Sequence, residues 1–358
     1  MATMSELCSV RDSIVSRYLG KATGANVVGV GIGDKYVAGL KTGYQCVRVY
    51  VSRKPGLNDL AARDLIPARI GNVDTDVIDV GIEFTPNGGR RRKPDTAAET
   101  CKPARGEPGS SIGLQAKATR HLGRVVSGTL GAILQGENGK RYVIGCNHVL
   151  SVNGLVKKDE AKIVTPAPHH REQDEEEVIA EAPVAVPLRP DKPNFVDCAA
   201  AETSLPVNTR FSRNGKKFDL TDLRPPVVGL RVFKLGKGSG LTYGTIVDIS
   251  ADILVDYSFG GFHFTSQVLI QGDNDRDFAS DGDSGAIVLA DVEKPYAVAM
   301  VFAPAGKYTA ACPIEEVKKS LLALMRGDPA RSPEPVPPAE PFDLIPQTGN
   351  RQPRGKAV

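Results

Sequence analysis

The sequence predicts a mainly β protein, with an all-β double barrel over residues 111–312 preceded by a small α+β unit. Three observations carry that expectation. From residue 111 to about 312 the chain is a succession of short apolar, β-branched runs separated by Gly-rich turns, the pattern of antiparallel barrels. Residues 25–82 instead mix strand-like runs with one helical stretch, which suits a two-layer α+β sandwich. At 358 residues, 41% hydrophobic and 24% charged, the chain has globular composition and length for one large or two to three small domains.

In chain order, residues 1–23 hold an N-terminal helix, since Leu7, Val10, Ile14, Val15 and Tyr18 recur near helical spacing over 5–20. Residues 24–84 form the α+β unit. Val27–Gly33 and Cys46–Val51 read as strands joined by a Gly-rich turn, Leu57–Leu65 as a helix, and Asp76–Val80 as a third strand. Gly29, Gly31 and Gly33 lack the G-x-G-x-x-G spacing, and no helix follows, so a nucleotide loop is rejected. Residues 85–110 read as a linker containing Arg90-Arg91-Arg92-Lys93-Pro94. A proteolytic activation site or a nucleic-acid contact is the alternative to a solvated segment there, and the Pro/Gly content favours the latter. Within 111–326, His169-His170 and the acids at 172–177 suggest an acidic loop rather than a metal site, because adjacent residues on a strand point apart. Ile314–Met325 reads as a terminal amphipathic helix with Val317, Leu321, Leu324 and Met325 on one face. Residues 327–358 are rich in proline and poor in apolar residues, as in a disordered or polyproline tail.

The net charge of +3 implies no strong attraction to nucleic acid or membrane. The sequence holds no apolar run of about 18 residues, and charges interrupt its first twenty, unlike a signal peptide. The six cysteines have no CxxC spacing and are expected to be reduced in a cytoplasmic protein. Cys146 and Cys198 read as small buried residues, with a redox brake as the alternative.

Chemistry concentrates at three places. Asp281-Gly282-Asp283-Ser284-Gly285 sets a serine between glycines ahead of the apolar run Ala286–Ala290. A serine hydroxyl needs a base to take its proton and N–H dipoles to meet an oxyanion, and in such a turn the Gly282 and Ser284 amides are the natural donors. Arg141–Leu150 reads as a strand ending at His148, one of five histidines and a suitable general base. Phe195–Ala201 places Asp197 in a small apolar segment, where a carboxylate needs a partner such as an imidazole N–H. The chain order His148, Asp197, Ser284 is that of chymotrypsin and differs from the subtilisin and α/β-hydrolase orders.

On these motifs the chain resembles the trypsin-like serine proteases of the chymotrypsin fold. More narrowly it resembles bacterial trypsin-like peptidases with a small N-terminal domain, related to the plant leaf-shape protease family. The resemblance covers roughly 24–325 and rests on Ser111-Ile112-Gly113, Gly128–Gly131, Cys146–Leu150, Val196–Ala199, Leu235–Gly244 and Gly282–Gly285. It implies Ser284 as nucleophile, His148 as base then acid, Asp197 as orienting carboxylate, and an oxyanion hole from the Gly282 and Ser284 amides. It implies no cofactor or metal, and a protein or peptide substrate. Ala297–Ala303 looks like the strand lining the specificity pocket, with Val301, Phe302 and Ala303 as substrate contacts. Phe278, six residues before Ser284, stands where an acid would select Arg or Lys, which points to a neutral or apolar preference. Pro304 and Ala305 alter the pocket mouth; Ala286 replaces a glycine or serine; Cys312 replaces a polar residue before Pro313-Ile314. Asp283 pairs with a new N-terminus in zymogen-activated relatives. No matching Ile-Val N-terminus is evident here, so another cation or donor is expected to satisfy it. A catalytically silent trypsin-like domain used for protein binding is the rival reading. A regulatory partner recruited through the N-terminal unit or the tail is the further expectation.

Overall fold

A computed structural model describes residues 2–21, 26–37, 40–86, 103–122, 126–168 and 176–326. The basic run at 90–94, the His169-His170 pair with most of its acidic loop, and the proline-rich tail lie outside the described residues.

The first barrel is built from β5 (Ser111–Leu114), β6 (Ser127–Thr129), β7 (Ala132–Gln135), β8 (Arg141–Gly145), β9 (Lys162–Thr165), β10 (Glu177–Ala185) and β11 (Ala199–Thr203), paired in the order β6-β5-β9-β10-β11-β8-β7. Its two ends, β6 and β7, are one stretch of chain bent at Leu130-Gly131. The bend stays paired on both sides: Leu130 N–H donates to Ser110 O and Gly131 N–H to Ile144 O. A strand that bends between two neighbours closes the sheet and leaves no edge there.

The second barrel comprises β14 (Arg231–Gly236), β15 (Gly240–Tyr257), β16 (Gly260–Gly272), β17 (Ile287–Ala290), β18 (Ala297–Ala305) and β19 (Tyr308–Pro313). Their order is β14-β17-β18-β19-β16-β15, and a β14–β15 pairing closes the ring. The small hairpin β12 (Arg210–Arg213) and β13 (Lys216–Asp219) precedes it. The structure is thus mainly β, a double β-barrel of the chymotrypsin type. All nine residues of β18 are buried: the strand lies between β17 and β19 in the sheet, and the C-terminal helix packs against it. Helix α4 (Ile314–Arg326) closes the described chain and buries Ile314, Val317, Ser320 and Leu321, the face that its periodicity predicts.

The leading unit contains α1 (Met4–Tyr18), β1 (Val27–Val37), β2 (Leu40–Val51), β3 (Arg69–Ile70) and β4 (Val73–Asp79). Thr3 and Glu6 form a reciprocal capping box that starts α1. In place of one helix over Leu57–Leu65 the chain makes two short 3₁₀ turns, 57–59 and 62–64; Ala61 stands between them with an extended backbone. The unit has its own core, with Leu7, Ile14 and Tyr18 of α1 packed on Val30, Val47 and Val49. Its sheet nevertheless runs on into the second barrel, because β1 pairs antiparallel with β15 at Gly29↔Ile253 and Val30↔Asp252. Among the described residues no helix is long and apolar enough to cross a membrane.

Candidate active site

After the short turn α2 (Ala116–Thr119), His148 lies on α3 (Asn147–Leu150), a single turn that starts where β8 ends. Asn147 fixes this knuckle. Its Nδ2 donates to Val186 O at 2.7 Å, and its Oδ1 accepts from Ser151 Oγ and the Asn153 amide. The β8–β11 register pairs Gly145 with Ala199, which brings the residues after Gly145 against those before Ala199. Asp197 and His148 therefore meet. His148 Nδ1 is 2.5 Å from Asp197 Oδ2, and the His148 amide donates to Oδ1 at 3.2 Å.

Asp197 has no exposed surface, so every lone pair that goes unanswered is expensive. A third donor, Tyr257 Oη, reaches Oδ2 at 2.7 Å, and the Asp197 amide donates to Cys312 Sγ at 3.3 Å. Burial pushes the carboxyl up, but the His148 charge and the hydrogen bonds from His148 and Tyr257 outweigh it and hold Asp197 below the usual carboxylate range.

Ser284 sits in the turn between two glycines with positive φ, Gly282 at 93° and Gly285 at 99°. A Cβ on Gly285 would collide with Thr129 O, so this position requires glycine. The turn is tied to both barrels: Thr129 Oγ1 donates to Gly282 O at 2.7 Å, Thr129 N–H to Ser284 O at 2.8 Å, and Gly285 N–H to Val301 O at 2.8 Å. Among the described residues the Gly282 and Ser284 amides donate to no protein acceptor. Unbonded amides at Gly282 and at the serine itself suit an oxyanion.

Asp283, next to Ser284, is fully buried. Lys234 Nζ, equally buried, lies 2.9 Å from its Oδ2. The amides of Gly238, Ser239 and Ser280 and the Ser239 hydroxyl complete its shell. The cation that the sequence leaves open is therefore an internal lysine on β14. Burial pushes the Lys234 amine down, and Asp283 opposes that only in part.

His148 and Ser284 are not hydrogen-bonded among the described residues. Ser284 Oγ donates to Phe302 O at 3.3 Å. Phe278, Val301, Phe302 and Ala303 all have no exposed surface. Phe278 packs among Val232, Ile246, Ile270 and Val298 inside the second barrel, and the Phe302 ring lies 4.8 Å from that of Phe264. Cys146, Cys198 and Cys312 are free, fully buried thiols around Asp197, and burial pushes all three up, which keeps them neutral. Cys146 Sγ, a His148 ring nitrogen and an Asp197 oxygen lie within 4.8 Å of one another. The thiol donates to Val301 O and Nδ1 faces the carboxylate, so these groups answer one another and are not open to an ion.

Two neighbours of these groups went unread in the sequence. Lys234 carries a detectable signal, a lone charge within the apolar run Val232-Phe233-Lys234-Leu235. Tyr257 carries none, because its partner is 60 residues away.

A family model described as the Nal1 C-terminal domain matches residues 212–311, which agrees with the leaf-shape resemblance over that stretch. No curated protein matches. Among solved structures the chain is similar to Thermobifida fusca protease A at 14% identity, covering 62% of this chain and 96% of that one with a TM-score of 0.40. A chymotrypsin from Cellulomonas bogoriensis is 15% identical, with 62% and 96% coverage and a TM-score of 0.37. An inactivated protease paralogue of the scabies mite is 12% identical, with 62% and 97% coverage and a TM-score of 0.34. Likeness at this level carries no argument about activity, and the double-barrel assignment stands on the strand order.

Proposed function

We propose that the protein is a serine endopeptidase. What supports this reading is a buried His148–Asp197 pair together with a serine turn whose two amides are free and whose flanking acid is locked by Lys234, the two segments being joined at Val301 O, which accepts from both Cys146 Sγ and Gly285 N–H. Ser284 attacks the substrate carbonyl as His148 Nε2 takes its proton. Asp197 holds the imidazole tautomer and balances the cation, and the Gly282 and Ser284 amides receive the oxyanion. His148 then protonates the leaving amine, and water repeats the cycle on the acyl-enzyme. The Ser284 hydroxyl must first leave Phe302 O for His148, and such bonds commonly tighten only when substrate is bound. With Phe278 standing where an acid would select Arg or Lys, a neutral or apolar residue is favoured before the cut. Specificity is correspondingly narrow.

One observation favours a second reading. The serine is bonded to Phe302 O and not to its base, as suits a silent domain that only binds protein. A fluorophosphonate probe separates the two. Labelling of wild type that disappears in both Ser284→Ala and His148→Ala, with turnover down by several powers of ten, is the expected result. Folded wild type that takes up no probe would sink the protease reading.

A further inference from the structure

We propose that Tyr257 is a positioning residue for the Asp197–His148 pair, and that the leading α+β unit holds it in place. The inference rests on the protease reading. Two donors converge on one oxygen of Asp197: His148 Nδ1 and the Tyr257 hydroxyl. The second fixes the carboxylate rotamer and takes up part of its charge through a charge-assisted hydrogen bond. The Tyr257 ring also stands 5.4 Å from the His148 ring, tilted by 57°, so it limits how far the imidazole can swing. Burial first, then the Asp197 charge, push the phenol well above its ordinary range. It therefore remains a donor at any pH at which the fold survives. The other titratable groups around the pair are the Cys146, Cys198 and Cys312 thiols, held neutral by burial.

Tyr257 is the last residue of β15, opposite Gly260 across a tight turn. Its ring is boxed in by Phe259, Phe262 and Phe264, with centroids 5.1, 5.6 and 6.3 Å away. The strand behind it has a partner on each edge. On one side is β16. On the other are β1, at Asp252 and Ile253, and Phe84, which bridges to Val255 and accepts from the Asp256 amide at 2.9 Å. The outer edge of residues 252–256 is thus paired by the leading unit, immediately before the tyrosine that reaches the acid.

The test is Tyr257→Phe in the full chain. Loss of one donor leaves more charge on Asp197 to face the imidazolium. The expected result is a roughly tenfold slower rate of probe labelling and of kcat, with KM unchanged. The acid limb of the pH–rate profile should move upward by about half a unit, which a purely structural role would not cause. Gly29→Ala, whose Cβ would press on Asp252 O and Ile253 across the seam, should slow labelling in the wild-type background and add nothing in Tyr257→Phe, since coupled residues are non-additive. An unchanged rate and pH profile in Tyr257→Phe would overturn the positioning role, and multiplicative effects would overturn the role of the leading unit. If wild type itself takes up no probe, it is the protease reading that fails. The His148 Nδ1–H proton resonance in Ser284→Ala, with and without Tyr257→Phe, then decides the positioning role without turnover: a shift supports it and an unmoved signal refutes it.

Discussion

Asp283 beside Ser284 and Asp248 at the seam with the leading unit are both fully buried carboxylates, yet they are answered differently. Asp283 has a lysine at 2.9 Å, three amides and a hydroxyl. Asp248 accepts from Tyr50 Oη, the Ser250 amide and the Ser250 hydroxyl. The nearby Arg48 donates its Nε and Nη2 to Asp34 O and its Nη1 to Val247 O. Burial pushes Asp248 up to about 6, against the partial opposition of Ser250, Arg48 and Tyr50. A full ion pair locks the serine turn in one geometry, whereas neutral donors leave the seam with a carboxyl that titrates near neutrality.

Breaking the first pair should have the largest effect. Lys234→Met takes away the cation that answers buried Asp283 and leaves it only neutral donors, and chemical denaturation should show a loss of about 3–5 kcal/mol together with loss of probe labelling. Replacing both partners with apolar residues of similar size should restore much of the stability but not the labelling. A Lys234→Met protein as stable as wild type would remove the contrast between the two sites.

The seam should respond with the opposite sign. The folded-state value of Asp248 lies above the unfolded carboxylate range, so its contribution is fully present below about pH 4 and is lost as pH rises through about 6. Asp248→Asn should therefore gain on wild type by about 2–3 kcal/mol between pH 4 and pH 8, followed by thermal unfolding across that range. A pH-independent difference would show that the charge of Asp248 is fully compensated after all.

The smallest change is steric. A Cβ on Gly31 would strike the Asp248 carboxylate, so Gly31→Ala should cost about 1–2 kcal/mol. That cost should fall in the Asp248→Ala background, where room is made. Equal costs in both backgrounds would mean that β1 does not meet the barrel through this carboxylate.

Much of this architecture was legible because it is local. The helical spacing of Leu7, Ile14 and Tyr18 and of Val317 and Leu321 predicted α1 and α4, and both bury those residues. The strand-to-knuckle pattern ending at His148 and the acid in an apolar segment at Asp197 were visible as types, and the fold joins them. What stayed hidden depends on tertiary register. The sequence of β1 gives no sign that Gly29 and Val30 pair with residues more than 220 positions away, and a unit with its own core reads as separate even when its sheet is shared. The hydroxyl direction of Ser284 and the reach of Tyr257 are likewise properties of packing between distant strands, invisible to any short window.

Strand β15 runs for 18 residues, which at about 3.3 Å per residue is a ribbon of nearly 60 Å. Gly240 at its start accepts from Lys234 Nζ at 3.1 Å, and Tyr257 at its end donates to Asp197. One strand therefore touches the cradle of the Ser284 turn and Asp197 beside the other barrel. The order of assembly follows from this. Neither barrel can complete the constellation alone, and ties between them such as Thr129 to Gly282, 153 residues apart, close long loops that are slow to form. Refolding should therefore recover β-sheet signal before probe reactivity, and a chain stalled between those events would be an intact-looking pair of barrels with no working cleft.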